Sequence, residues 1–171
     1  MTALRPLAVA SVLGAFAGAA ALVFFYAARP ALVLDMDREL SGLARGFHAV
    51  ERAPGGLTFA WTGARAELHL PGLDRRSPWT VSVCLRGARP DVTRLPEVRL
   101  ALDDAVVASA RTSNVFEEIR AEIPASAEND RGAVISLLVS ETFVPGPGDA
   151  RAPGGMVDES RVGPSPGATA L

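Results

Sequence analysis

The chain has 171 residues, with 17 basic against 19 acidic side chains and a formal net charge of −2. That balance gives no electrostatic reason to expect a nucleic-acid partner. The single cysteine, Cys84, excludes an internal disulfide and a cysteine-built zinc cage, so packing alone must hold the fold together.

Every basic residue is arginine, and Ala, Gly and Pro are abundant, a composition that fits a GC-rich, bacterial genome. The length suits one domain of ordinary size plus a terminal segment. Leu7 to Ala28 carries no charge and nothing more polar than Ser11. As a helix it would span about 33 Å, enough for a hydrocarbon core. Phe24, Phe25 and Tyr26 sit where an aromatic belt would meet the headgroups. The expectation for residues 1–30 is a single transmembrane anchor or uncleaved signal. A cleaved signal peptide competes with it, since Tyr26-Ala27-Ala28 offers a site. Arg5 on one side, with Asp35 and Asp37 following Arg29 on the other, leans toward an extracytoplasmic C-terminal part. Gly14 and Gly18 have helix-dimer spacing, which chance also produces in a segment so rich in small residues.

Residues 31–56 read as a connector ending in Pro54-Gly55-Gly56, with Asp37 to Phe47 open between a short helix and a lead-in strand. From there the period is two. Leu57, Phe59 and Trp61 alternate with Thr58, Ala60 and Thr62, and after a break at Gly63 Ala66, Leu68 and Leu70 alternate with polar partners. Trp79, Val81, Val83 and Leu85 form the next stripe, followed by Val98, Leu100 and Leu102. Asp103-Asp104 then predicts a tight hairpin turn into Val106–Ala110. Val115, Ile119, Ala121 and Ile123 share one phase. Ala133–Ser140 is apolar on both phases and predicts a central strand. A last strand is expected over Met156–Val162, and 163–171 as a disordered tail. Short strands at near-regular spacing predict an all-β, antiparallel β-sandwich or jelly roll over 57–162, preceded by the N-terminal helix.

Motifs for chemistry are sparse. His48 and His69 are the only histidines and have no metal-ligand spacing; His69 lies on a polar strand phase. There is no hydrolase elbow, P-loop or dinucleotide fingerprint. Asp35 with Asp37, and Asp103 with Asp104, lack the six to eight oxygens that calcium needs. Cys84 alternates with Ser82 and Arg86 and reads as a half-exposed structural thiol. Trp61 and Trp79 could stack on a sugar ring, though both share a phase with apolar neighbours and fit a core role as well. The segment Phe143-Val144-Pro145-Gly146-Pro147-Gly148-Asp149 is rigid: a plain turn on one reading, a ligand or docking loop on the other.

Leu70-Pro-Gly-Leu-Asp-Arg-Arg-Ser-Pro-Trp79, Phe143-Val-Pro-Gly-Pro-Gly-Asp-Ala-Arg151 and Met156-Val-Asp158 resemble an extracytoplasmic β-sandwich region of bacterial multi-pass membrane glycosyltransferases of the dolichyl-phosphate-mannose type. Val98–Pro124 is similar to galactose-binding-like jelly-roll modules. The resemblance covers roughly residues 30–163 and implies a non-enzymatic, membrane-anchored accessory or truncated portion of a glycosyltransferase system. Its partners would be the lipid bilayer and a multi-pass glycosyltransferase or a glycan. No catalytic residue and no cofactor carries over, because the catalytic acids of such enzymes belong to their multi-helix part. The competing expectation is a carbohydrate-binding module at the cell surface.

Overall fold

A strand that belongs to two sheets at once organises this chain. The computed structural model describes residues 4–27, 31–37, 42–126, 131–146 and 148–166. Within them lie helix α1 (Leu4–Ala27), one 3-10 turn (Val92–Arg94) and the strands β1 (Leu32–Asp35), β2 (Ala44–Phe47), β3 (Glu51–Arg52), β4 (Thr58–Asp74), β5 (Trp79–Arg86), β6 (Glu97–Leu102), β7 (Ala105–Arg111), β8 (Glu117–Ile123), β9 (Arg131–Val139) and β10 (Met156–Pro164).

All pairings are antiparallel, and the strand order is β7-β6-β9-β4-β10-β5-β8. The first end of β4 meets β10 through Ala60 and Trp61, while Arg65 to Asp74 pairs with β9. One layer is therefore β2-β4-β9-β6-β7 and the other is β1 and β4 on β10, then β5 and β8. This is an antiparallel β-sandwich. Leu68, Leu100, Ile135 and Leu137 from the first layer meet Val81, Val83, Ile123 and Val162 from the second in one core. All eight are fully buried.

Several expectations are met by name. β9 lies between β4 and β6, the central position its two-phase apolarity predicts. Asp103 and Asp104 have φ of 46° and 71°, both positive as a type I′ hairpin turn requires, and they join β6 to β7. β10 continues two residues beyond Val162, and Ser165 Oγ lies 3.0 Å from Thr80 Oγ1.

Others are corrected. The stretch 31–56 contributes β1, β2 and β3 to the sheets, and Leu34 and Met36 are core residues. Ala44–Phe47 is a strand, although residues 38–41 lie outside the described set. No helix among the described residues is long and apolar enough to cross a membrane. That overturns the expected single-pass anchor, and with it the extracytoplasmic location deduced from it.

The shared core makes a direct test available. Leu68→Ala should cost about 2–5 kcal/mol, the range for truncating a fully buried leucine, read as a lowered urea midpoint at unchanged slope. A loss well below 1 kcal/mol would contradict its place between the layers.

Candidate functional site

Burial separates the two tryptophans, Trp61 on β4 and Trp79 on β5. Ala66, Leu68 and Leu70 face the core; β4 then shifts register against β2 between Glu67 and Thr62, leaving Ala64 and Arg65 both exposed, and beyond that irregularity the even positions Thr62 and Ala60 are buried again. Trp61 is odd. It is half-buried on the outer side, where it meets Phe59 at 6.2 Å between ring centroids and Phe143 at 5.8 Å, both edge-on. The core-phase reading of Trp61 is thus corrected. Trp79 differs: it is 7 % exposed within the core, and its Nε1 donates to the Asp74 carbonyl at 2.7 Å. A ring so covered has no open face for a sugar.

Phe143 begins the Pro/Gly loop, so two features 82 positions apart in sequence meet at one corner. The chain from the loop back to β10 is fastened onto β4 at Thr62. Gly154 N donates to Thr62 O at 2.6 Å, Thr62 N donates to Gly155 O at 2.8 Å, and Gly155 N donates to Thr62 Oγ1 at 2.9 Å. A methyl group on Gly154 would collide with the Gly63 carbonyl and the Thr62 hydroxyl, so only glycine permits this crossing.

Two arginines frame the corner. Arg89, 8 % exposed, donates to the carbonyls of Gly87 (2.8 Å) and Glu141 (2.6 Å) and lies 4.4 Å over the Phe143 ring. Arg151 grips Asp149 with Nε and Nη2, the latter at 2.7 Å, and its Nη1 donates to Glu51 on β3. The side-chain and backbone hydrogen bonds from Arg151 hold the Asp149 carboxyl at about 2. Val144 and Pro145 stand exposed at the tip, near the exposed Gly148; Gly146 is half-buried, and Pro147 lies outside the described residues. The result is an apolar, aromatic surface with a fixed polar rim.

The remaining candidates do not converge on chemistry. His69 Nε2 is 3.0 Å from Glu67 Oε2, and His48 is apart from it, with its backbone N–H donating to Trp61 O. Burial, and then the charges of Asp158, Glu159 and Glu118, push the Cys84 thiol up, away from the reactive thiolate. No group of three His, Cys, Asp or Glu among the described residues could hold a metal ion. Two hollows open elsewhere. One of about 780 Å³ lies between Arg94, Glu97, Arg111 and Glu141, and one of about 570 Å³ lies between Arg45, His69, Arg75 and Asp103. No Trp, Tyr or Phe is found among the described residues lining either.

No family model matches the chain, and no curated protein matches it. Solved structures do match. The xylan-binding domain CBM22-2 of Paenibacillus barcinonensis Xyn10C superposes with a TM-score of 0.57 at 15 % identity, over 78 % of this chain and 99 % of that one. BtGH115A, a 4-O-methyl-alpha-glucuronidase with specificity for decorated arabinogalactans, matches with a TM-score of 0.51 at 9 % identity. That match covers 79 % of this chain and 18 % of the enzyme. At such identities the likeness shows the fold alone, an antiparallel β-sandwich of the jelly-roll type. The expected association with a membrane glycosyltransferase finds no support in these comparisons.

The depressed carboxyl of Asp149 sets a pH window. Its folded value, about 2, lies below the ordinary 3.8, so its contribution is complete above about pH 4 and fades as pH falls toward 2. Tryptophan emission should shift in that window as the loop loosens beside Trp61. Asp149→Asn should remove the shift while far-UV circular dichroism stays native. A shift of equal size in the variant would assign it to another group.

Proposed function

We propose that this chain is a carbohydrate-binding β-sandwich, a binding module and not an enzyme, whose ligand surface is the corner built by Trp61 and by Phe143, Pro145, Gly146, Gly148 and Asp149 of the Pro/Gly loop. The observation that carries the reading is the outward placement of Trp61. A strand that could have buried its indole presents it half-open beside a second ring. An aromatic face suits the apolar face of a sugar ring, and a carboxylate and guanidinium rim suits its hydroxyl groups.

Three further points support it. The fold is that of a xylan-binding domain over nearly all of that domain's length. The two rings are held from behind by Arg89 and by the Thr62 fastening, so little ordering entropy would be lost on binding. Arg151, Asp149 and Glu51 are exposed by roughly a quarter to two fifths, open enough to meet a ligand while fixed by one another.

Affinity electrophoresis through gels containing xylan, mannan, β-glucan or arabinogalactan tests the proposal. The chain should be retarded by at least one of these. Trp61→Ala should weaken that binding tenfold or more, about 1.4 kcal/mol, with native circular dichroism. Absence of retardation by every polysaccharide, or full retardation of a folded Trp61→Ala variant, would overturn it.

A further inference from the structure

The outer face that carries Trp61 continues past it. Met156 of β10 pairs with Trp61 on one side and with Arg86 of β5 on the other, so the three share one face in a row across three strands. Met156, 5 % exposed, is covered between its neighbours and accepts at its sulfur from Arg86 Nε at 3.0 Å. Beyond Arg86 comes Phe116, with the guanidinium 5.0 Å from its ring centroid. At about 4.8 Å per strand, Arg86 stands about 10 Å from Trp61.

Arg86 differs from the other arginines of this neighbourhood. Arg120 is bonded to Glu118, Arg161 to Glu159 and Arg151 to Asp149, while Arg89 is spent on two carbonyls. Arg86 has no carboxylate partner among the described residues; its donors meet only a thioether, a weak acceptor. Yet it is half-exposed and held in orientation by the Phe116 ring and Met156. A fixed, reachable guanidinium without a counter-ion offers a planar fork that matches a carboxylate.

From this row we infer that the site selects glycans bearing a uronic acid: one sugar ring rests at Trp61 and the carboxylate of a neighbouring residue bonds to Arg86. The inference rests on the carbohydrate-binding reading and names its ligand class. Arg86 is the specificity residue and Trp61 supplies affinity common to neutral and acidic chains.

Isothermal titration calorimetry with the purified full chain tests it, using xylotetraose and the same oligosaccharide carrying one glucuronic acid branch. The wild type should bind the acidic probe at least tenfold more tightly. Arg86→Gln should bring that ratio close to one while keeping the affinity for xylotetraose, and 0.5 M salt should narrow the wild-type ratio. Arg86→Lys, which keeps the charge but loses the fork, should give an intermediate ratio. Equal affinity of the wild type for both probes, or an unchanged ratio in Arg86→Gln, overturns the inference and leaves the carbohydrate reading standing. Binding of neither probe by the folded wild type overturns the inference, and the carbohydrate reading falls with it only if mannan, β-glucan and arabinogalactan gels also fail to retard the chain.

Discussion

The parity of β4 is the constraint on which the arrangement depends. A strand alternates its side chains with period two, and a continuous strand cannot change phase without a bulge or a break. Leu68 and Leu70 are fixed inward by the core, and on the far side of the register shift between Glu67 and Thr62 the even positions Thr62 and Ala60 are fixed inward as well. Trp61, between them, is left half-buried, with Phe59 buried beneath it. Joining two layers through one strand thus also sets the character of the outer surface at the corner. Trp61 there meets Phe143, and Arg89 lies over the Phe143 ring.

Burial at this corner is partial and differentiated. Phe59 is 7 % exposed and serves as a floor, while Trp61 and Phe143 are half-open above it. The polar groups around them are satisfied largely by one another, through Arg151 with Asp149 and Glu51 and through Arg89 with backbone carbonyls. Such pairing places donors and acceptors with little rotational freedom, the condition under which a shallow surface can still bind specifically. Arg86 departs from that pattern, since its cation is positioned but not neutralised.

Much of the fold was legible in the sequence, because the strands after residue 57 alternate cleanly and their turns carry Gly, Pro or Asp. β5 is the clearest instance: Trp79, Val81, Val83 and Leu85 alternate with polar residues and all four are buried. The site was less legible, for two physical reasons. Gly63 marks a break in the alternation, and β4, though continuous, shifts register there with Ala64 and Arg65 both exposed, so no local period fixes the phase of Trp61 from that of Leu68. The meeting of Trp61 with Phe143 is a tertiary contact that no local period encodes. The strands within 31–56 were hidden similarly. Ala44–Phe47 is short and mixed in character, and it is a strand because β4 offers an edge at that place.

The ionic rim has a further consequence, for the order in which the corner assembles. Arg151 and Asp149 are two residues apart, whereas Arg151 and Glu51 are separated by 100. Closing a loop of two residues costs far less chain entropy than closing one of a hundred. The bend of the Pro/Gly loop is therefore available while the chain is still largely unfolded, and the clasp to Glu51 forms only when β3 and β4 are in register. The same guanidinium thus joins a contact near in the chain to one far along it, at a single corner of the sandwich.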